Sequence, residues 1–321
     1  MYRPVTRHIR LDGVIPGSLS GLRADQALAK IFPQHSRARI QDWIRAGVAT
    51  FDGVVVRVKH RVAGGELISI RGAVEGDDRS DAQPGPLVVL HEDSDVLVLD
   101  KPPGLVVHPG AGNRDGTLLN RLLAYDPGLR AIPRAGLVHR LDKNTSGLML
   151  IARSLHAHTR LVAQIKAREV TRVYETVVNG SPPMRGTVEA PIGRDRARRT
   201  RMAVEARGKH ATTHFQVVER YPGHARLEVV LETGRTHQIR VHLAHVGYPI
   251  VGDSTYGKRR SRARGTDEPE AVSSFSRQAL HARRLSLCHP ISGRELALES
   301  GLAPDMQVLV DALRAGAADL P

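Results

Sequence analysis

Residues 139–147 read HRLDKNTSG, and they lead directly into an apolar run at residues 148–151. The polar segment places one carboxylate, Asp142, beside cations, hydroxyls and a glycine. Because a strand-forming run begins where the polar segment ends, we expect Asp142 to lie at a turn beside a sheet, where its side chain can project into a cleft. An aspartate at a turn often does no more than cap it. The specific residues around Asp142 nevertheless make it the first candidate for a catalytic carboxylate.

Composition indicates a basic protein with an anionic partner. The chain has 321 residues, 41% of them hydrophobic, which suits two domains with a sizeable core. Its formal net charge of +14 favours a nucleic acid as partner, with an anionic membrane surface second. We expect neither a membrane span nor a signal peptide, since no long apolar run is present. The single cysteine cannot form an internal disulfide, and we predict a cytoplasmic location.

The N-terminal part of the chain predicts a small domain with two helices. After a leader at residues 1–21, two groups of apolar residues at helical spacing predict two short helices. Pro33 separates them, Ser36 is placed to cap the second helix, and Gly47 is placed to end it. The residues that carry the spacing are Leu28, Ile31, Phe32, Ile40, Trp43 and Ile44.

Strands and a linker are predicted next. The β-branched runs at residues 54–58 and 67–70 predict a hairpin across a Gly-Gly turn signal. Residues 72–86 are rich in Gly, Asp, Ser and Pro and have no apolar periodicity, which is typical of an interdomain linker. We therefore predict one domain at residues 22–71 and a second at residues 87–321.

The second domain is predicted to have an α+β fold with a mixed, mostly antiparallel sheet. Short apolar strands alternate there with only a few helices. The clearest helix starts after Ser154, and another is predicted from Thr236 to a stop at Gly247. The apolar face of the first of these helices is predicted to carry Leu155, Val162 and Ile165.

The pattern HRLDxxTSG at residues 139–147 resembles the signature of the pseudouridine synthases that act on ribosomal and transfer RNA. The resemblance places Asp142 on the catalytic aspartate of that family. Residues 101–104, KPPG, resemble the family's first motif, which we interpret as a rigid turn near the active site rather than as a catalytic element. Together with the segments below, the matches spread over most of residues 87–293.

Tyr174 lies where the family places an active-site tyrosine beside the target base. An aromatic residue on a strand more often belongs to the core. The position of Tyr174 in the sequence RVYE at residues 172–175 favours a functional role. The resemblance implies that its ring stacks on an extruded uracil and that its hydroxyl serves in proton transfer at carbon-5.

Residues 234–242, GRTHQIRVH, resemble the third motif of the family. The resemblance implies that Arg240 pairs with Asp142 and that Ile239 lines the pocket. A guanidinium there has a physical purpose, because a carboxylate in a dry pocket tends to protonate unless a cation lies beside it. Arg235 is the alternative partner, since sequence alone does not orient the helix.

The resemblance implies isomerisation of uridine to pseudouridine without a cofactor. Asp142 either attacks the anomeric carbon or removes a ribose proton to form a glycal, and the sequence leaves both routes open. Because the base has to leave its stack, we expect Arg140 to fill the vacated space or to hold a neighbouring phosphate.

Three histidines, His237, His242 and His245, raise the alternative of a metal-dependent hydrolase. His242 and His245 are three residues apart on one predicted helical face. No cysteine or carboxylate at suitable spacing completes a ligand set, and nucleotide-binding glycine patterns are missing from the contexts that they require. We therefore predict no metal and no nucleotide cofactor.

Residues 22–71 resemble the alpha-L RNA-binding module known from a small-subunit ribosomal protein and from several RNA-modifying enzymes. Arg37, Arg39 and Lys59 supply the charge that a phosphate-tracking surface needs, and they are the RNA-contact residues expected there. A small helical domain with solvated arginines has a similar composition.

The resemblance implies large-subunit (23S) ribosomal RNA as the substrate, with the helix 69 stem-loop as the expected target. The partner is either that RNA or a ribosomal precursor particle, and a monomer is favoured. The alternatives are another large-subunit site, a transfer RNA, or a non-catalytic ribosome-assembly factor that uses the same basic surface.

Overall fold

The computed structural model describes residues 6–32, 35, 37–75, 81–110, 112–113, 115–198, 201–257 and 269–318. It divides into two compact units, Met1–Ser80 and Asp81–Pro321. Pro33 and Ser36, which the sequence places between the first two helices, lie outside the described residues.

The first unit contains the two predicted helices, α1 (Ala24–Ile31) and α2 (Arg37–Arg45). Their apolar residues form the core of the unit, where Leu28 and Ile40 are fully buried and Trp43 is 2% exposed. Gly47 follows α2 with φ of 73°, a conformation that suits glycine after a helix end. Helical spacing therefore predicted both helices and the side that each one buries.

Four strands complete this unit. They are β1 (Thr6–Val14), β2 (Ala49–Phe51), β3 (Val54–Val55) and β4 (Leu67–Glu75), in the antiparallel order β1-β4-β2-β3. β1 lies within the predicted leader, and β4 continues into the predicted linker. The reason is their mutual pairing, which runs from Thr6 opposite Glu75 to Val14 opposite Leu67. Backbone hydrogen bonds thus order segments whose composition alone is typical of loops.

The predicted hairpin between residues 54–58 and 67–70 is wrong. β3 covers only Val54–Val55 and pairs with β2, and β2 in turn pairs with β4. Asp52 and Gly53, with φ of 47° and 80°, close the β2–β3 hairpin. Two successive residues with positive φ form the two-residue turn that matches the twist of paired strands.

The second unit is built on one sheet in the order β5-β6-β7-β14-β8-β13-β12-β9, with β15 paired to β14. Neighbouring strands are antiparallel except β7 and β14, which are parallel. This confirms the predicted α+β fold with a mixed, mostly antiparallel sheet. A separate antiparallel pair is formed by β10 and β11. The strands are β5 (Val88–Glu92), β6 (Val96–Lys101), β7 (Ser146–Ala152), β8 (Thr171–Asn179), β9 (Arg185–Glu189), β10 (Ile192–Arg194), β11 (Met202–Val204), β12 (Thr212–Tyr221), β13 (His224–Leu231), β14 (Leu280–Cys288) and β15 (Glu295–Glu299).

The helices of the second unit are α3 (Leu118–Tyr125), α4 (Leu155–Ala167), α5 (Gln238–His245), α6 (Glu270–Ser273) and α7 (Pro304–Ala318). In α4 the predicted start is confirmed, because the Ser154 hydroxyl accepts from the Ala157 N–H. The predicted apolar face is correct for Ile165, which packs against the core, and wrong for the other two residues. Leu155 and Val162 are 59% and 42% exposed, while Ala157 and Leu161 are buried four residues apart on one face. Along the described ranges, no helix has the length and apolar character that crossing a bilayer requires.

The fold brings the motif segments to one region of the second unit. Residues 139–145 lead into the buried strand β7, and Tyr174 lies on β8. Gly147, with φ of 105°, allows β7 to approach β14, because a Cβ there would lie 2.3 Å from the Ala282 carbonyl oxygen. α5 begins at Gln238 rather than at Thr236, since His237 before it has a left-handed φ of 57°. This turn after β13 directs α5 towards Asp142.

Candidate active site

The pair expected from the third motif is present. Arg240 Nη1 donates to Asp142 Oδ2 at 2.9 Å. The side chains of Arg240 and Asp142 are 7% and 15% exposed, so the pair is largely shielded from water and yet reachable. Arg235, the alternative partner, donates from Nε to the His210 carbonyl at 3.1 Å instead.

Asp253 is a second partner of Arg240 that the sequence reading missed. Arg240 Nε donates to Asp253 Oδ2 at 2.7 Å, and Nη2 donates to Oδ1 at 3.0 Å. Asp253 is fully buried, and its Oδ1 also accepts the backbone N–H groups of Thr255 and Tyr256. Although burial acts to raise it, the hydrogen bonds and charge of Arg240 hold the pKa of Asp253 below its ordinary value. The sequence signal was a carboxylate directly after an apolar pair and a glycine, at residues 250–253.

His237 and Tyr256 form the next contacts around this pair. His237 Nε2 lies 3.8 Å from Asp142 Oδ1, and its Nδ1 lies 2.8 Å from the Tyr256 hydroxyl. The same hydroxyl accepts the Met202 N–H at 2.9 Å, and the Tyr256 ring faces the Arg240 guanidinium at 5.0 Å. Burial lowers the pKa of His237, with the charge of Asp142 acting in the opposite direction. His237 is therefore mainly neutral at pH 7.

The Asp142 carboxylate lies at the wall of a cavity of about 710 Å³. Tyr174 and Ile239, both predicted as site residues, line this cavity and are 5% and 4% exposed. Burial raises the pKa of Tyr174 above its ordinary value, so its hydroxyl stays protonated at neutral pH. An aromatic ring, an aliphatic side chain and a carboxylate thus share one space that is large enough for a nucleotide.

A second cavity of about 440 Å³ shares part of this lining. Both cavities are lined by Asp142, Arg140, His237, Arg240 and His108. Arg140 is exposed at this boundary, two residues from the carboxylate. A chain that passes from one cavity to the other would therefore run along Asp142 and Arg140.

His139 explains the first position of the HRLD segment. Its Nε2 accepts the Leu150 N–H of β7 at 3.0 Å, which requires a neutral ring. Burial, followed by the charge of Arg172, lowers the pKa of His139 to about 3. This histidine fixes the segment that carries Asp142 to strand β7.

Lys101 contacts the segment that carries Asp142 on the C-terminal side of that residue, at Lys143. Its buried ammonium donates to the carbonyls of Pro102, Leu105 and Lys143 at 2.8, 3.1 and 3.1 Å. Burial, followed by the charge of Arg277, lowers the pKa of Lys101 to about 7. The KPPG turn therefore supports the Asp142 segment through a side chain, in line with our structural interpretation of it.

Two of the histidines considered as metal ligands have protein partners. His242 is buried, with Nδ1 at 2.9 Å from Thr213 Oγ1 and Nε2 at 3.0 Å from the Ala190 carbonyl. His237 has the contacts described above. Within the described residues, no cluster of three or more His, Cys, Asp or Glu side chains has the arrangement of a metal site.

The RNA-contact residues predicted in the first unit differ in their surroundings. Arg37 is half-exposed and forms an ion pair with the buried Asp25, at 2.6 Å from Nη2 to Oδ2. Lys59 is exposed. The side chain of Arg39 lies outside the described part of the structure.

Known proteins resemble the chain over most of its length. Residues 95–245 match the family described as RNA pseudouridylate synthase. The chain is 47% identical over 314 residues to the ribosomal large subunit pseudouridine synthase D of Yersinia pestis, covering 97% of each protein. It is 49% identical over 305 residues to the protein of the same name from Xanthomonas campestris pv. campestris, covering 94% of this chain and 92% of that one. Among solved structures, human RNA pseudouridylate synthase domain containing 4 matches with a TM-score of 0.56 and 27% identity, covering 71% of this chain and 93% of that chain.

Proposed function

The chain belongs to the RNA pseudouridylate synthase family and is an enzyme of the isomerase class, and from that premise we propose that it acts on large-subunit ribosomal RNA. The relatives that it matches along nearly their whole length carry this substrate in their names, which supports the proposal. Within that RNA, the proposed target is the helix 69 stem-loop, either free or in a ribosomal precursor particle.

Asp142 is the catalytic carboxylate of this proposal. The observation that carries it is the hydrogen bond between Arg240 and Asp142 at the wall shared by two cavities. Arg240 compensates the charge of the carboxylate and fixes its orientation, while the incomplete burial of Asp142 leaves it accessible to a nucleotide.

The target uridine has to leave its base stack before its glycosidic bond can reach this carboxylate. Asp142 then either attacks C1′ of the ribose or removes a ribose proton to form a glycal. In both routes the bond between C1′ and N1 breaks, C5 bonds to C1′, C5 loses its proton and N1 gains one. The rearrangement is intramolecular, so it requires neither a cofactor nor a second reactant.

The remaining cavity residues have roles that fit their chemistry. Tyr174 offers an aromatic face to the extruded uracil and a protonated hydroxyl for proton transfer at C5. Ile239 packs against the base from the apolar side. Arg140, exposed at the boundary between the cavities, fills the space that the base vacates or holds a neighbouring phosphate, and Arg235 contacts the backbone nearby.

Residues 22–71 are proposed to add RNA affinity without taking part in the chemistry. Arg37, Arg39 and Lys59 are the cations assigned to this contact. Because such phosphate contacts carry no sequence information, their loss should weaken RNA binding while leaving the choice of uridine unchanged.

The experiment that tests this proposal measures tritium release from a large-subunit ribosomal RNA transcript labelled at uridine C5. The native chain is expected to release tritium, because C5 loses its proton, and Asp142→Asn is expected to release none above background. Asp311→Asn makes the same chemical change on the exposed face of α7 and should retain full activity. Tritium release by Asp142→Asn at the native rate would contradict the catalytic role of Asp142. Tritium release from transfer RNA alone would show that transfer RNA, rather than ribosomal RNA, is the substrate.

A further inference from the structure

Arg172 is a buried arginine without a counter-charge. It lies on β8 and is 9% exposed, and its side chain lines the larger cavity. Its Nε is enclosed and has no hydrogen-bond partner, and the guanidinium has no ion pair with any carboxylate of the described residues. Burying a charge without a partner is unfavourable, and an arginine cannot lose its charge by deprotonation.

The other cations of this cavity differ from Arg172 in one of two ways. Arg240 is buried but hydrogen-bonded to two carboxylates, and Arg168 is exposed and paired with Glu232. Arg140 has no such partner but is exposed to water. Arg172 combines burial with the lack of a partner, and this combination is expected where a ligand supplies the missing negative charge.

The position of Arg172 supports a ligand from the cavity. Arg172 and Tyr174 are two residues apart on β8, so their side chains lie on the same face of the sheet. Gly234 forms the wall beside the guanidinium, since a Cβ at that residue would lie 3.2 Å from Arg172 Nη1. The glycine thus leaves room for the planar group at the wall of the cavity.

We propose that Arg172 binds a phosphate of the RNA strand next to the target nucleotide. A guanidinium offers two parallel N–H groups that match two phosphate oxygens, and a phosphodiester carries the full negative charge that a base carbonyl lacks. The inference rests on the proposed function, because it assumes that RNA enters this cavity.

The first test measures RNA binding in an Asp142→Asn background, which removes turnover. The probe is a helix 69 stem-loop RNA, followed by fluorescence anisotropy at several salt concentrations. Arg172→Gln is expected to bind about tenfold more weakly, as loss of a charged hydrogen bond predicts. It should also reduce the slope of log affinity against log salt by about 0.7 to 0.9, the value for one lost phosphate contact. Arg130→Gln, an exposed arginine outside both cavities, should change neither quantity.

The second test identifies the phosphate. Each phosphate around the target uridine is replaced in turn by an uncharged methylphosphonate. At one position, the methylphosphonate is expected to weaken RNA binding by the chain that retains Arg172. The same replacement should not weaken RNA binding by Arg172→Gln any further. Arg172→Lys keeps the charge, so it should retain the salt slope and its sensitivity at that position even if Arg172→Gln folds poorly. Equal penalties at every position in all variants, with unchanged salt slopes, would overturn the proposal.

A third test does not depend on the RNA. Inorganic phosphate should raise the melting temperature of the native chain more than that of Arg172→Gln, compared with chloride at equal ionic strength, because it binds the folded state at this residue. If RNA neither binds nor is modified while this difference remains, the proposed function fails and the anion site stands. If phosphate stabilises both proteins equally, the anion site fails.

Discussion

Arg240 donates two parallel hydrogen bonds to Asp253, from Nε at 2.7 Å and from Nη2 at 3.0 Å. This bidentate contact fixes the guanidinium plane and leaves Nη1 for Asp142. A buried aspartate outside the recognised motifs therefore determines where the positive charge lies beside the candidate catalytic carboxylate.

Asp253→Asn should lower both activity and stability. The change leaves a buried guanidinium with an amide in place of a carboxylate, which is expected to cost about 3 kcal/mol of unfolding free energy. Activity should fall at least about tenfold, because Arg240 is no longer held in one orientation. Urea unfolding and tritium release, measured where the variant is still folded, test this. Unchanged turnover in the folded variant would show that Asp253 does not position Arg240.

Tyr256 should affect turnover through its hydroxyl and its ring separately. Tyr256→Phe removes the group that contacts both Met202 and His237, while its ring still faces Arg240. We expect a several-fold loss in kcat for Tyr256→Phe, and a larger loss for Tyr256→Leu, in which the contact with the guanidinium is also gone. Steady-state kinetics on the two variants decide this, and an equal loss in both would contradict a role for the ring.

Tyr174→Phe should separate stacking from proton transfer. The variant keeps the aromatic face, so RNA binding should stay close to that of the native chain. If the hydroxyl transfers a proton, kcat should fall about 100-fold. Tyr174→Leu should weaken RNA binding as well. If kcat of Tyr174→Phe equals that of the native chain, the hydroxyl does not transfer the proton and Tyr174 serves only in stacking.

His139 predicts a loss of stability in acid. Its pKa in the folded protein is about 3, below the ordinary value near 6.5, because the ring is buried and lies near the charge of Arg172. Between these two values the unfolded chain binds a proton that the folded chain does not, so stability falls as the pH falls from 6.5 towards 3. Within this range the free energy of unfolding falls by at most about 1.4 kcal/mol for each pH unit.

Urea unfolding at pH 6.5 and pH 5 tests this expectation. The native chain should lose about 1 to 2 kcal/mol more than His139→Gln, which keeps an acceptor without a proton to gain. The same loss in both proteins would show that His139 is not held neutral.

The family resemblance pointed to Asp142, Tyr174 and Arg240 as candidates, and the structure brings all three to the lining of one cavity. Asp253 escaped this reading, since its role depends on a contact with Arg240 across 13 residues and on a turn that only the fold reveals. Helices such as α1 and α2 follow local periodicity. Strand pairing does not, and β1 was missed because its order comes from hydrogen bonds to β4, far along the chain.

Pseudouridine mapping of total RNA tests the central claim most directly. Cells that lack this gene are complemented with either the native chain or Asp142→Asn, and every pseudouridine in ribosomal and transfer RNA is compared. We expect helix 69 sites of the large subunit to be lost in the deletion and restored only by the native chain. Restoration by Asp142→Asn, or no lost site in any RNA, would contradict it and favour a binding or assembly role.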